Sequence, residues 1–496
     1  MKKIINCKMK MLFALALAVV VLLSNSSFES FAASAPKLSK TTLTFASPNA
    51  KAQTVTIKNL KTKYVKKITI YNDWKEWLTI KKKGKNKLVI TPKRSSGDIT
   101  YGISISIQYK KPVDGRYSDY LMFKKIKIKG KSTIAIKTAA DLCKMRAGSY
   151  TTHRWNYYLA NDIDMTGKGM VKYPGEWGSD TYSDIYLDGK GHTIKSDTPI
   201  FNSVGGVLKN IVFDVNINCT VSKKDANTVI WGKVHYNGYG GLAPIVYNNG
   251  KIIGCKSVGT ITVNMDKDVT YTMSGGGESK ITTANIAGLV EENTCTDAVI
   301  SQCKSEVDIT VNFAPDVTPF TYVGGLVTLN YGYSGNSQYA SIIESQFAGS
   351  IKIVGAMSFA YAGGITGNNN ANIKDCLNTG SVSNDSGSMP YVAGINGIGG
   401  GKAVERVLTV GDVKYGLLGN SISEYSLEDG RMSEYKNAYY LSTKSDGFNY
   451  LGNPIEVPGT KGISEEELVK QETFEGFDFE KVWKMGANGP ELRNVP

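Results

Sequence analysis

Two aspartates, Asp162 and Asp164, have the spacing in this chain that best suits catalysis. They stand two positions apart within residues 158–165, and side chains two apart on a strand share one face. Paired carboxylates can act as acid and base on a glycosidic bond, or can bind calcium. Aspartates after a short strand also cap turns by accepting backbone N–H groups. We favour turn capping, and a polysaccharide-degrading enzyme (lyase or glycoside hydrolase) that uses Asp162 and Asp164 is the alternative.

Histidine and serine chemistry have little support in the sequence. The histidines are His153, His192 and His235, and they form no H-E-x-x-H motif or other metal-ligand spacing. No G-x-S-x-G turn for a serine nucleophile occurs. His192 lies in a glycine-containing turn, where we expect a structural role. The sequence therefore predicts neither a metal ion nor a cofactor.

Positive charge is concentrated at one end of the chain. Residues 36–131 hold 24 lysines and arginines against five aspartates and glutamates, a net charge of +19, whereas residues 132–496 hold 30 against 38, a net charge of −8. A net charge of about 2–8 keeps a small domain soluble, so this excess indicates a field that attracts polyanions, while a solvated surface that keeps the protein soluble is the alternative. No nucleic-acid recognition motif is visible. The expected polyanion-binding residues are Lys81, Lys82, Lys83, Lys85, Lys87, Lys125, Lys127 and Lys129.

A repeated apolar pattern indicates the scaffold behind these residues. Six times, apolar or small residues recur three, seven and nine positions after a Leu, Ile or Val, and the starts are 44, 48, 42, 31 and 31 residues apart. Repeats of about 20–50 residues indicate stacked units that bury an apolar face against their neighbours. The six starting residues are Leu208, Ile252, Ile300, Ile342, Ile373 and Val404.

The uneven intervals and the cysteines refine this scaffold. The longer intervals predict outward excursions at residues 264–283, 312–320 and 331–338, and loops on a rigid body commonly bind ligands. Cys255, Cys303 and Cys376 share a repeat position that Ile211 fills elsewhere. This predicts buried, reduced thiols and not disulfides. Cys295 lies outside the pattern and is the candidate for a disulfide bond.

Aromatic residues near the first repeats could stack on sugar rings. Packing over the first coils is the alternative role for the same residues, which would place them in a local core. The candidate ligand-binding residues are Trp177, Trp231, Tyr236 and Tyr239.

The repeats resemble a known family. A Gly-Gly or Ala-Gly pair followed by Leu or Ile precedes five of them, starting at Gly240, Ala287, Gly324, Gly363 and Ala393. With the Ile-x-x-Cys step and the Gly-x-Val/Ile that follows, this resembles the GLUG motif of bacterial surface proteins. The resemblance spans residues 137–496 and implies a right-handed parallel β-helix. GLUG repeats also occur in zinc peptidases that cut immunoglobulin A1, whose catalytic signature is missing from this sequence.

The basic region is expected to form a separate domain. Short segments of residues 36–131 alternate apolar with polar residues, as β-strands with one buried face do. In one of them Ile126 and Ile128 should face inward while Lys125, Lys127 and Lys129 face outward. The pattern resembles the bacterial immunoglobulin-like modules of surface proteins, which implies a β-sandwich.

The N-terminus resembles a secretory signal. Four lysines, Lys2, Lys3, Lys8 and Lys10, precede the apolar residues 11–23, and small residues follow. We expect an all-β chain: a signal peptide (1–35), a basic immunoglobulin-like β-sandwich (36–131), an opening helix and first β-helix coils (132–207), GLUG-like repeats (208–442) and a C-terminal cap (443–496). No later run is apolar enough to span a membrane.

Together these features predict a non-enzymatic, adhesin-like protein that is secreted or attached non-covalently to the cell wall. Its basic module would hold anionic cell-wall polymers, and its β-helix loops would bind extracellular glycans or host surface proteins. Two alternatives stay open: the polysaccharide-degrading enzyme, and a passive surface spacer. Neither a transmembrane anchor nor a specific nucleic-acid partner is expected.

Overall fold

The structure is a computed structural model of the chain. It divides into two compact units, Met1–Ser132 and Thr133–Pro496, and the boundary lies beside the change of charge at Lys131. The residues that the structure describes are 35–75, 77–93, 98–99, 102–129, 133–145, 155–171, 185–221, 226–230, 233–236, 241–265, 270–272, 278–280, 284–295, 297–315, 321–331, 339–355, 360–385, 391–399, 402–413, 434–445, 447–450 and 453–496.

The described part of the first unit is built from β-strands and one 3-10 turn, Thr62–Tyr64. Its strands are β1 (Lys37–Leu38), β2 (Thr42–Phe45), β3 (Gln53–Lys58), β4 (Val65–Asn72), β5 (Leu78–Lys83), β6 (Lys87–Pro92), β7 (Asp98–Ile99), β8 (Ile103–Val113), β9 (Arg116–Met122) and β10 (Lys125–Ile128).

The described strands of this unit form three small sheets. One has the order β1-β3-β6-β5 and another the order β4-β8-β9, both antiparallel, while β10 lies between β2 and β7. Alternation places every second residue in the core, and the predicted inward residues Ile126 and Ile128 are fully buried. Trp74 and Trp77 are also buried and meet edge to face, with ring centroids 5.2 Å apart.

The second unit begins with a short strand and a short helix and then forms one strand after another. Its first elements are β11 (Ile134–Ile136), α1 (Ala139–Cys143), β12 (Trp155–Leu159), β13 (Ile163–Asp164), β14 (Ile185–Asp188), β15 (Thr193–Ser196), β16 (Phe201–Val204), β17 (Val207–Lys209), β18 (Val212–Val221), β19 (Ala226–Ile230), β20 (Lys233–Tyr236), β21 (Ile245–Asn248), β22 (Lys251–Ile253), β23 (Lys256–Met265), β24 (Thr270–Thr272) and β25 (Glu278–Lys280).

The later repeats contain β26 (Asn285–Ala287), β27 (Val290–Asn293), β28 (Val299–Ser301), β29 (Lys304–Phe313), β30 (Thr321–Gly324), β31 (Val327–Tyr331), β32 (Ser341–Ile343), β33 (Gln346–Phe347), β34 (Ser350–Val354), β35 (Ala360–Gly363), β36 (Thr366–Asn370), β37 (Asn372–Lys374), β38 (Leu377–Asn378), β39 (Ser381–Asn384), β40 (Tyr391–Ala393), β41 (Asn396–Gly399), β42 (Ala403–Thr409) and β43 (Glu434–Leu441).

The last elements are β44 (Phe448–Tyr450), β45 (Asn453–Ile455), β46 (Thr460–Ile463), α2 (Glu465–Leu468), a 3-10 turn (Gln471–Thr473), β47 (Trp483–Gly486) and β48 (Gly489–Leu492).

Strands of successive repeats pair in parallel, which makes the second unit a parallel β-helix. A 20-stranded sheet runs along it, accompanied by a six-stranded sheet (β16, β21, β27, β31, β36, β41) and a four-stranded sheet (β26, β30, β35, β40). The starting residues of the six repeats are register partners, and each is fully buried. The predicted all-β solenoid is therefore confirmed. A Cβ on Gly349 would collide with the backbone carbonyl of Val307, which explains the glycine there.

Each coil bends two residues after its repeat's starting residue. The backbone there is left-handed, with φ of 53° at Asn210, 55° at Gln302 and 48° at Glu344, a region that most residues avoid. Backbone hydrogen bonds between coils hold the bend: the Gln302 N–H donates to the Ile343 carbonyl at 3.1 Å, and Glu344 makes the equivalent bond at 3.0 Å. The repeat pattern did not reveal this bend because the residues that occupy it have little in common.

A ladder of buried asparagines runs along the six-stranded sheet of the β-helix. Asn248 donates to Asn293 at 2.8 Å, Asn293 to Asn330 at 2.9 Å, and Asn330 to Asn369 at 2.8 Å. All four are fully buried. Buried amides are stable only when they are hydrogen-bonded, so each asparagine supplies a hydrogen-bond partner for the next one.

The cysteines agree with the predicted packing role. Cys255, Cys303 and Cys376 are free and fully buried, which confirms the prediction for these three positions. Cys295 is also free, and its Sγ donates to Asn249 Oδ1 at 3.2 Å, so the structure contains no disulfide at the site proposed for one.

The C-terminal segment packs against the flank of the last coils. Leu377 and Leu408, which follow the inward Cys376 and Val407, form a buried cluster with tail residues that include Trp483. The indole N–H of Trp483 donates to Asp375 Oδ1 at 3.1 Å. The tail thus covers side chains on the opposite side of the strands from the β-helix core.

Candidate polyanion-binding surface

The densest lysine cluster lies at the tip of the β5–β6 hairpin. Apolar residues along its two strands, Leu78, Leu88 and Ile90, are buried and anchor the hairpin. At the tip the chain turns through Gly84, whose φ of +65° suits glycine. We call residues 81–87 the lysine hairpin; its five lysines are Lys81, Lys82, Lys83, Lys85 and Lys87.

The lysine hairpin exposes its charge at a cost to the fold. All five lysines are exposed, and Lys83 pairs directly with Lys87 across the hairpin. Like charges opposite each other destabilise a strand pair. Within the described residues, no aspartate or glutamate forms an ion pair with any of the five. Their charges are therefore available to a ligand.

Three lysines elsewhere in the first unit have partners inside the protein. Lys61 forms an ion pair with Asp114 at 2.9 Å. Lys63 and Lys111 lie 4.8 and 4.7 Å from the ring centroid of Tyr64. The hydrogen bond and positive charge of Lys63 lower the pKa of Tyr64. These local partners therefore distinguish the three lysines from those of the hairpin.

The second predicted lysine group lies in a different sheet. Strand β10 alternates the half-buried Lys125 and Lys127 with two buried isoleucines, and Lys129 follows as an exposed residue. Lys125 and Lys127 already take part in interactions within the protein. The structure thus does not bring the two predicted lysine groups together in one sheet, and the hairpin is the stronger candidate.

The two predicted catalytic carboxylates each cap a turn. Asp162 Oδ1 accepts the Thr193 N–H at 2.9 Å and lies 3.0 Å from His192 Nδ1. Asp164 Oδ1 accepts the Thr166 N–H at 2.9 Å. Hydrogen bonds from Thr193 and His192 lower the pKa of Asp162, and those from Thr166 lower the pKa of Asp164. Both side chains are exposed and ionised, whereas a general acid needs a raised pKa.

The predicted aromatic binding residues fall where little is described. Trp177, Trp231 and Tyr239 lie outside the described residues, as do most of the residues in the three predicted excursions. Tyr236 ends strand β20, which pairs with β19 in an antiparallel hairpin, and its side chain is not among those described.

Sequence reasoning missed a buried carboxylate in the β-helix. Glu291 in β27 is fully buried, and its Oε1 accepts Asn285 Nδ2 at 2.7 Å. Burial, with smaller contributions from Tyr322 and Glu291, raises the pKa of Tyr331 to about 12. A charged residue at an inward position of a strand, where Thr328 stands in the next coil, is the signal that could have identified it.

Two features are absent from the described residues. No cluster of three or more His, Cys, Asp or Glu side chains there has a geometry that could hold a metal ion. Likewise, none of the helices in the described residues has the length and apolar composition needed to cross a membrane.

Comparisons with known proteins add little to this picture. No protein-family model and no curated protein matches the chain. Among solved structures, the chain is similar to the crystal structure of a "putative immunoglobulin A1 protease from Bacteroides ovatus", with 17% identity and a TM-score of 0.32 over 73% of this chain and 92% of that one. A likeness this distant carries no argument about function.

Proposed function

We propose that this protein is a non-enzymatic, adhesin-like protein, exported and held non-covalently at the cell wall, whose first unit binds anionic wall polymers or extracellular glycans. In this proposal the first unit is an immunoglobulin-like module and the β-helix carries GLUG-like repeats. The loops of the β-helix would meet glycans or host surface proteins. The lysine hairpin is the principal contact with the polyanion.

The observation that carries the proposal is the exposed Lys83–Lys87 pair within a cluster of five lysines. Stability alone does not favour this arrangement, because like charges opposite each other weaken a hairpin. A bound polyanion would remove the repulsion and would be attracted by every lysine of the hairpin. Between exposed groups such attraction is screened beyond about 8 Å at physiological salt, so close contact with the polymer is required.

The test is a cell-wall binding assay with two variants of equal charge change. In the hairpin variant, Lys81, Lys82, Lys83, Lys85 and Lys87 become glutamine. In the control variant, five exposed lysines of the β-helix unit become glutamine instead: Lys251, Lys374, Lys436, Lys444 and Lys470.

The hairpin variant should bind purified cell walls at least roughly tenfold more weakly, a loss of about 1.4 kcal/mol or more. The control variant should bind like the wild type, because it changes net charge without touching the hairpin. Equal losses in both variants would mean that only net charge matters, and unchanged binding by the hairpin variant would reject the hairpin as the site.

A further inference from the structure

Exposed aromatic side chains gather on one sheet of the first unit. Five large hydrophobic side chains are exposed among the described residues, and four of them belong to the β4–β8–β9 sheet. A group of exposed large apolar side chains indicates an interaction site, whereas scattered ones do not. The four are Tyr71, 53% exposed; Tyr117, 69%; Tyr120, 70%; and Met122, 56%.

Strand register places three of these side chains on the same face. Partners in adjacent strands point to the same side of a sheet. The opposite face of the sheet holds Ile70, Ile105 and Leu121, which point toward the core. We call the outer face the tyrosine face; its three rows are Tyr71–Ser104–Met122, Thr69–Ser106–Tyr120 and Lys67–Gln108–Ser118.

The tyrosine face has the form of a shallow groove. The central strand β8 contributes the small residues Ser104 and Ser106, while Tyr71 on β4 and Tyr120 on β9 rise on either side. Strands lie about 4.8 Å apart and rise about 3.4 Å per residue, so the three rows span roughly 10 by 13 Å. That footprint is far below the roughly 800 Å² per partner of a stable protein interface. A second copy of the chain or a folded protein is therefore a poor fit.

The side chains on this face suit a sugar polymer. Tyrosine rings offer an apolar face and a polar hydroxyl, which match the C–H face and the hydroxyls of a pyranose ring. Ser106 is buried, but the half-buried Ser104 and the exposed Gln108 of the central strand can donate and accept hydrogen bonds. The charged residue of the three rows is Lys67, and the nearby Asp119 points to the other face, where it accepts Tyr109 Oη at 2.6 Å. The charge on the face therefore favours an anionic chain.

We propose that the tyrosine face binds a polysaccharide that carries carboxylate or phosphate groups, with sugar rings stacked on Tyr71 and Tyr120 and an acidic group beside Lys67. This inference rests on the proposed function, because the polymer is the polyanion that the lysine hairpin attracts. It adds recognition of the sugar ring to recognition of charge. The two sites differ in what they require: the hairpin needs only negative charge, whereas the tyrosine face needs rings.

Two polyanions separate these requirements. Polygalacturonate has rings and carboxylates, while inorganic polyphosphate has charge without rings. The mature full-length chain is titrated with each polymer at fixed salt. The test variant carries Tyr71→Ala and Tyr120→Ala, and the matched control carries Tyr117→Ala, which lies on the same strand as Tyr120 but, by alternation, points away from the tyrosine face. Thermal melts verify that both variants fold.

The test variant should bind polygalacturonate roughly tenfold more weakly, as expected when interfacial tyrosines are truncated, and should bind polyphosphate unchanged. The control variant should bind both polymers like the wild type.

Wild-type affinity of the test variant for polygalacturonate would overturn the proposal, as would no binding of that polymer by the wild type. If the test variant bound both polymers equally more weakly, the proposal would also be overturned. The tyrosines would then act through charge recognition or through folding, and not by stacking on sugar rings. Self-association of the wild type that the test variant loses would assign the face to a second copy instead. Loss of binding to both polymers by the hairpin variant would report on the proposed function alone.

Discussion

The two units of this protein treat their polar side chains in opposite ways. In the β-helix, buried amides and carboxylates bond to one another, as in the Asn293–Asn330 rung and the Asp375–Arg406 pair. In the first unit, the lysines of the hairpin face solvent without carboxylate partners among the described residues. Polar groups that satisfy each other stabilise a scaffold, while unpaired ones remain free to bind. The difference supports the proposal that the first unit binds the polyanion, and it gives the interior of the β-helix a supporting role.

The net charges of the two regions agree with that assignment. Residues 36–131 carry +19 and residues 132–496 carry −8. A polyanion is attracted to the first and repelled by the second. Substitutions in the β-helix interior should therefore change stability, and substitutions in the hairpin should change binding.

The largest expected effect comes from a buried ion pair of the β-helix. Arg406 Nε and Nη2 donate to the two oxygens of Asp375 at 2.7 and 3.0 Å. Burial raises the pKa of Asp375 to about 6, and the hydrogen bond from the Trp483 indole opposes this rise. Arg406→Met leaves a buried charge without its partner, so we expect a loss of about 3–5 kcal/mol in the free energy of unfolding at pH 7.

Urea unfolding of the Arg406→Met variant measures this loss, and its pH dependence has a definite sign. A raised carboxyl pKa gives stability that is present below about pH 4 and is lost as pH rises through about 6. Arg406→Met removes the positive charge beside the carboxylate, so the variant should lose more stability than the wild type between pH 4 and pH 7. The control, Lys352→Met, breaks the exposed Lys352–Asp385 pair and should cost less than about 1 kcal/mol. Equal losses in the two variants would contradict the contrast between buried and exposed charge.

The asparagine ladder should give the next largest effect. Asn330→Val removes the acceptor of Asn293 and the donor to Asn369. Because both neighbours are buried, we expect a loss of about 2–3 kcal/mol. The control is Asn216→Val, an exposed residue that accepts the Thr260 hydroxyl at 2.9 Å, and it should stay within about 0.5 kcal/mol of wild type. If Asn330→Val left the free energy of unfolding unchanged, the ladder would not support the scaffold.

A smaller effect, of opposite sign, is expected in the lysine hairpin. Lys83→Thr relieves the repulsion with Lys87, so the protein should become more stable by about 0.2–1 kcal/mol. The same change should weaken binding to cell walls, since it removes a contact. Lys81→Thr is the matched control because Lys81 lies opposite Val89, and it should weaken binding without the gain in stability. Destabilisation by Lys83→Thr would argue that the hairpin charges serve the fold.

The smallest effect is expected at the capping aspartate Asp162. Its hydrogen bonds from Thr193 and His192 lower its pKa, so its contribution to stability is present above about pH 4 and is lost as pH falls through the lowered value. Thermal melts of Asp162→Asn and wild type should differ at pH 6 and converge near pH 2. If the wild type cleaved a polysaccharide and the Asp162→Asn variant did not, the enzymatic alternative would replace turn capping.

Much of the β-helix core could be predicted from the sequence. The recurrence of Ile252 and Ile300 at one repeat position predicted that they stack, because parallel coils in register bring equivalent residues together. The shared position of Cys303 and Ile211 predicted a buried thiol for the same reason. Periodicity carries this information because inward side chains must be apolar in every coil.

Other features could not be predicted because they depend on contacts between distant residues. Trp483 meets Asp375 across 108 positions, and no local pattern links them. The tyrosine face was missed for a different reason: Tyr120 and Met122 alternate like core residues, and the sequence alone does not say which side of β9 faces solvent. Strand register in three dimensions, not residue type, identifies that face.

The salt dependence of cell-wall binding tests the central claim most directly. Affinity is measured from low to high salt for the wild type, the hairpin variant and the five-lysine control in the β-helix unit. If the hairpin holds a polyanion, the logarithm of wild-type affinity falls steeply and linearly with the logarithm of salt concentration, because each lysine contact releases counterions. The hairpin variant should show a much shallower slope, and the control should keep the wild-type slope. A hairpin variant with the wild-type slope would contradict the account.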